Sequence, residues 1–534
     1  MKDFTRLAPS ESLTVVPTSR PFSNFAFVDR TFRGLFPPLR RIMSQIRLRG
    51  AETMVIEEVA AAADLAEENA DIALRLPGFS KSKISRLSFF AKAFRTPRGL
   101  LGVGPDDFLG YVIVKEDTLP SGERNCRIYE SVVRPSRHQN NYIHGVQRWT
   151  CRVGEQSLEI VGYLYAQQND LTNVCAHVAA RTAAARFHPE GDMTYRQMNK
   201  TVGVDHVKRV VGGGHGINVQ EMMAILNAAG AKCFMGDFTI PPAKRPNVPF
   251  QKYLYGSIES GYPAIVCFAT ADTGSNHAVP VFGHTFNEDT WVPSAELSYF
   301  KVGPATQYIP SESWLNMYLI HDDNCGSNYC IPRSYLHVRR WCSQMSGKAQ
   351  PCPTEADCVK FVIGTMPKEV AYDSIRAEVV GADYLFALWP QMPEAVDDWG
   401  KRLQEYAKQN MLVLRPLLID GQQYVDHLGS VRDWQGSHVE NRHLDVLRAS
   451  LKEKLWMIEM SVPELFQANR RKIAEVLLWA QRPADNQRDF TSFVLARLPA
   501  HFALYDGGGP QNPRFRFVLS GTANHVELFG CEEN

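Results

Sequence analysis

The chain has 534 residues, 44% hydrophobic and 22% charged, with 58 basic side chains against 57 acidic ones. This length suits two to four globular domains, and a net charge of +1 excludes nucleic acid or an anionic membrane surface as the expected main partner. No run of about 18 apolar residues predicts a transmembrane helix, and the first residues lack the apolar core of a signal peptide. Eleven cysteines in so long a chain predict reduced thiols rather than a disulfide framework, so the expected setting is the cytoplasm.

Residues 1 to about 45, rich in Pro, Arg and Phe, predict an irregular arm. From Ala51 to Leu76 the chain has helical propensity and an apolar stripe at helical spacing, and SKSKISRLSFFAKAF predicts a second helix. GYVIVKED, CRIYESVV and SLEIVGYLYA then read as strands, and the N-terminal region is assigned to residues 1–155. A helix over 175–187, another over VQEMMAILNAAGA, a strand AKCFMGDF and a helix FQKYLYGSIESG follow. The strands PAIVCFAT, HAVPVFGHTF and MYLIHDD come last. Helices before an antiparallel sheet is the order of an α+β domain, assigned to residues 156–335. Residues 336–534 predict a mixed α/β domain, with amphipathic helices around 395–410 and 441–482 and a closing hairpin from FRFVLSG and HVELF. Neither a repeat nor a low-complexity tract interrupts the chain.

The stretch QQNDLTNVCAHVAARTAAARF places Cys175 at the head of an alanine-rich helix. A cysteine on such a helix is ordinarily a packed core residue. Thr172 and Asn173 are candidate N-caps, however, and free amides at a helix start favour a thiolate. Further along, His277 opens an apolar strand after a polar loop, and MYLIHDDNCG closes another strand on Asp322 and Asp323. A nucleophile, a base and an orienting carboxylate supplied by three elements make a workable triad. Gln167 and Gln168, eight and seven residues before Cys175, could each supply a side-chain amide to an oxyanion.

The order of Gln, helical Cys, the stretch IESGYPAI, NHAVPVFGH and YLIHDDNCG resembles the papain-like cysteine peptidases. It is most similar to their bacterial branch of double-glycine (bacteriocin-leader) peptidases, over roughly residues 160–335. The resemblance implies a nucleophile helix packed on a twisted antiparallel sheet. Cys175 would be the nucleophile, His277 the base, Asp322 the orienting acid with Asp323 as its alternative, and Gln168 the oxyanion-hole glutamine with Gln167 second. Two features depart from the family: its glutamine usually stands six residues before the cysteine, and Cys175 is followed by Ala176 rather than Gly or Trp. Pro280 within HAVPVFG predicts an edge position or a bulge.

The expected activity is hydrolysis of a peptide or isopeptide bond in a protein or peptide substrate through a thioester, without cofactor or catalytic metal. The same triad would also serve an acyltransferase, a transglutaminase or a glutamine deamidase, and a degenerate copy would be a binding module. The flanking regions are large enough to shape substrate access or to bind a protein partner. His177, His284 and His321 read as packing residues, and the glycine run from Gly212 to Gly216 as a connector bordering the cleft. Cys325, Cys330, Cys342, Cys352 and Cys358 cluster, but only Cys325 and Cys330 approach the spacing of a zinc knuckle. Packed thiols are the expectation there, with structural zinc the alternative.

Overall fold

The computed structural model describes residues 2–3, 13–18, 25–32, 37–59, 63–79, 82–135, 141–142, 144–145, 147–189, 191–205, 216–270, 276–286, 308–338, 341–343, 349–351, 358–393, 398–432, 436, 438–482, 490–509, 511–519 and 526–531. It is a mixed α+β protein with several sheets, mostly antiparallel. Among the described residues no helix is long and apolar enough to cross a membrane.

The N-terminal sheet has the order of its sequence: β1 (Leu13–Pro17), β2 (Thr53–Glu58), β3 (Ser82–Phe90), β4 (Phe108–Thr118) and β5 (Arg124–Val133). Helices α1 (Pro37–Leu48) and α2 (Ala63–Arg75) accompany it. Three sequence expectations fail here. The expected irregular arm supplies β1 and the start of α1, Thr53–Glu58 is a strand with the helix beginning only at Ala63, and SKISRLSFF forms β3 rather than a helix. The reason is burial of both sheet faces: Val55, Ile84 and Phe90 enter one apolar cluster, Met54, Leu87 and Phe89 another. Apolar residues on both faces erase the period-two signal, and the tertiary pairing overrides helical propensity.

The central layer begins with α3 (Cys175–Ala184), α4 (Val219–Ala229), β6 (Ala231–Asp237) and α5 (Phe250–Glu259). The strands β7 (Ala264–Ala269), β8 (Asn276–Phe286), β9 (Leu315–Asp322) and β10 (Gly326–Pro332) follow. The last strand, β11 (Cys358–Pro367), comes from beyond residue 335, yet the order is β6-β11-β7-β8-β9-β10. The sheet thus extends past the expected boundary and is completed in its interior by a later segment. Tyr142, from before residue 156, also pairs with β8, opposite His284. Helix α3 packs across β8 and β7, and its Ala179, Ala180 and Ala183 join Ile265, Ala278 and Ile363 in one apolar cluster.

The C-terminal region contains α6 (Ser374–Leu388) and the strands β12 (Val413–Asp420), β13 (Lys454–Ser461), β14 (Ala474–Trp479), β15 (Phe493–Leu498), β16 (His501–Gly509) and β17 (Asn512–Leu519). These strands lie in sequence order, antiparallel, with Ile309–Pro310 added in parallel beside β12. The long helix expected over 441–482 ends at Ser450, after which β13 and β14 form. Again both faces are buried: Trp456, Ile458 and Met460 enter one cluster, Leu455 and Met457 another. The closing hairpin is also absent, since β17 pairs with β16 while Val526–Glu527 pairs with Arg471–Lys472.

Candidate active site

Cys175 is the first residue of α3, and its thiol is partly exposed. The N-cap is Val174, in extended conformation, rather than Thr172 or Asn173. Asn173 is used elsewhere: its side-chain oxygen accepts the Asn169 amide at 2.9 Å, and its Nδ2 donates to Glu68 at 3.1 Å. His177 takes up the N-cap's own amide, its Nδ1 lying 3.4 Å from the Val174 nitrogen and its Nε2 3.0 Å from Asn199 Oδ1. It is a buried structural histidine, as the helical geometry implied.

Behind the nucleophile, the loop is folded by Asn169. Its Oδ1 accepts the amides of Leu171, Thr172 and Asn173 at 2.8 to 3.1 Å, while its Nδ2 donates to Glu68 and Thr172. The Asx pattern in NDLTN was the available sequence signal for this. Glu68 reaches the loop from α2 and also accepts Lys115 and Arg127. Burial alone would raise its carboxyl, but these two cations outweigh it and hold the group down at about 2. The N-terminal region is therefore a buttress of the nucleophile loop.

Gln167 and Gln168 take different roles. The Gln167 side-chain oxygen accepts the Ile128 backbone N–H at 3.1 Å, and the Gln167 backbone N–H donates to the Ile128 carbonyl at 3.0 Å, so the residue is fixed to β5. Gln168 is partly exposed, and among the described residues its side chain makes no hydrogen bond. The Cys175 amide is likewise without one among them.

His277 is the second residue of β8, paired with Phe268 of β7. Pairing of β8 with β9 begins only at Val281, so the His277 end is held on one side, in keeping with the position of Pro280. His277 Nε2 lies 3.2 Å from Asp322 Oδ2 and 3.5 Å from Asp323 Oδ1. Burial disfavours the imidazolium, but hydrogen bonds to Asp322 and Cys175 and the charges of both aspartates raise His277 to about 10. Asp322 is pulled up by burial and more strongly down by His277, with further help from the amides of Asn324 and Cys325 on its Oδ1 at 2.8 and 2.9 Å; its net shift is downward. Asp323 differs sharply. Both its oxygens are buried without a hydrogen bond, and burial with the nearby Asp322 charge pushes it up to about 7. His277, Asp322 and Asp323 each have a ligand atom within 4.8 Å of the others, close enough to surround a cation.

His284 and His321 are packing residues. His284 bonds Glu259 at 2.5 Å. His321 sits between Tyr163 and Asn328, and burial lowers it to about 4. Of the glycine run, only Gly216 falls within the described residues. It has φ of 66°, and a Cβ there would meet Val174 at 2.4 Å, so this glycine abuts the residue before the nucleophile.

Neither a protein-family model nor a curated protein sequence matches this chain.

Proposed function

We propose that the protein is a cysteine peptidase of papain-like design, hydrolysing a peptide or isopeptide bond with Cys175, His277 and Asp322. The carrying observation is the imidazole of His277, held by Asp322 at 3.2 Å, directly after Asn276, whose carbonyl accepts from the Cys175 thiol at a helix start at 3.8 Å. The thiolate of Cys175 attacks the carbonyl carbon, and the Cys175 amide and Gln168 side chain receive the developing oxyanion. Imidazolium gives its proton to the leaving amine, which departs and leaves a thioester. Neutral His277 then takes a proton from water, whose oxygen displaces the sulfur and releases the acid. Asp322 keeps the ring oriented throughout. The site as drawn needs no cofactor. Its substrate would be a protein or peptide, selected with help from the flanking regions, in the cytoplasm.

The test is a peptide-library digest read by mass spectrometry, comparing wild type with Cys175→Ala. New termini that vanish with the thiol support hydrolysis. A thiol-dependent mass gain from an added amine would reassign the chemistry to transfer, and a gain of about 1 Da at glutamine to deamidation. A Cys175 that reacts no faster than other thiols would leave a binding module.

A further inference from the structure

The zinc-knuckle spacing of Cys325 and Cys330 brings no ligand pair together. Cys325 stands in the turn after β9, and four residues of strand, about 13 Å, separate Gly326 from Cys330 along β10. Cys352 and the Cys342 side chain lie outside the described residues. Among the described residues, one set of three buried side chains does gather its ligand atoms: His277, Asp322 and Asp323.

Asp323 distinguishes this set from an ordinary pair of acids beside a histidine. It is 3% exposed, and neither carboxylate oxygen has a hydrogen bond. A buried carboxylate needs a donor or a cation. Its backbone carbonyl accepts Tyr165 at 3.4 Å, while its side-chain Oδ1 faces His277 Nε2 at 3.5 Å. Asp322 has its two oxygens divided. Oδ1 accepts the amides of Asn324 and Cys325 at 2.8 and 2.9 Å, and Oδ2 faces the same Nε2 at 3.2 Å. A carboxylate fixed through one oxygen and aimed with the other has the outer support of a metal ligand.

Distances and charge both fit zinc. Bond lengths of about 2.05 Å to nitrogen and 2.1 Å to oxygen set the nitrogen–oxygen edge of a tetrahedral site at about 3.4 Å. The two observed separations, 3.2 and 3.5 Å, bracket that edge. A divalent ion on neutral His277 balances the two carboxylates, and Asp170 of the nucleophile loop adds a further negative charge nearby. One imidazole and two carboxylates suit zinc and leave its fourth position to water. The His277 and Asp322 side chains keep 9% and 12% exposure, so the ion can enter from solvent.

We propose that His277, Asp322 and Asp323 bind a zinc ion that inhibits the protein. The inhibition rests on the peptidase reading above, whereas the binding does not. When the ion binds, the imidazolium releases one proton to water and Nε2 gives its lone pair to the metal. The other ring nitrogen then carries the ring's remaining hydrogen and has no lone pair to take a proton from the thiol, so Cys175 is left without its base. Asp323, which no hydrolytic step uses, thereby gains a role as a ligand.

The test measures zinc uptake by equilibrium dialysis and elemental analysis on metal-free, full-length Cys175→Ala, alone and with Asp323→Asn added. Zinc held by other thiols cancels in this comparison. The single variant should hold one zinc per chain more than the double. Cys175→Ala with His277→Ala should match that double variant, and it decides the matter if Asp323→Asn fails to fold. In wild type, zinc should stop peptide cleavage and EDTA restore it, with Asp323→Asn needing roughly tenfold more zinc or above for half-inhibition. Equal uptake in all three proteins would overturn the proposal. So would a zinc lost from Cys175→Ala relative to wild type, which places the ion on the thiol, or cleavage that ignores or requires zinc. A protein that cleaves nothing yet shows the difference in uptake refutes the peptidase reading alone. One that cleaves with equal uptake refutes the zinc site alone.

Discussion

At the scale of single residues, the two neighbouring aspartates are the sharpest contrast. Asp322 is hydrogen-bonded on both oxygens, whereas Asp323 is buried with neither bonded. Asp322→Asn should lower kcat/KM by roughly 100-fold or more, since the orienting charge is lost while the ring remains. Asp323→Asn should instead reveal itself in stability. With its folded pKa raised to about 7, Asp323 disfavours folding increasingly as pH climbs from its unfolded value near 4 to 7. Chemical denaturation should show the Asn variant gaining on wild type across that window, by roughly 4 kcal/mol at most. His277, also raised, moves stability the same way but in a higher window: its stabilisation is full below about 6.5 and is lost as pH rises through about 10. His277→Ala should slow iodoacetamide labelling of Cys175 at pH 6 by about tenfold or more, read by intact mass. The sequence named Cys175, His277 and both aspartates because chemistry needs those residue types beside turns and element ends. It left the choices within Asp322/Asp323 and Gln167/Gln168 open, because they turn on long-range hydrogen bonds that spacing does not carry. The Ile128 amide that engages Gln167 lies 39 residues away.

At the scale of elements, the loop before Cys175 is shaped by a helix that the sequence did not connect with it. Glu68 of α2 bonds Asn169, Asn173, Lys115 and Arg127 in a buried cluster. Glu68→Ala should destabilise the protein by about 3–5 kcal/mol, as removal of one partner strands the buried cations. Thermal unfolding would measure it, and proteolytic nicking within 167–174 should accelerate. Gly216→Ala strains a left-handed residue and pushes on Val174, so it should lower activity more than it lowers stability. The elements α3, α4, β7 and β8 fall where propensity and pattern put them, although β7 is buried at every residue. The strands β3, β13 and β14, also buried on both faces, do not. Their near-continuous apolar runs carry length but no period.

At the scale of the whole molecule, the three expected regions are bolted together. From the central layer, Glu259 bonds His284 and, at 2.8 Å, Arg415 of β12; Arg415 also bonds Glu459, which accepts Lys472. Gly256 of α5 leaves room for Ser374 of α6, whose Oγ would lie 1.8 Å from a Cβ. A fragment of residues 156–335 would lose β11 from within its sheet and leave Glu259 without Arg415. It should therefore express as insoluble or unfolded protein, as circular dichroism would show, whereas the full chain folds. The same insertion has a consequence in time. At roughly 5–20 residues per second, synthesis from Cys175 to Pro367 takes on the order of 10 to 40 s. From His277 to Pro367 the emerging chain already carries its nucleophile and histidine but cannot close the sheet that aligns them. A ribosome-bound nascent protein is thus born inert, and its thiol should become rapidly alkylated only on chains stalled well beyond β11. On the proposed peptidase reading, the order of strands acts as a clock that withholds activity until β11 has emerged.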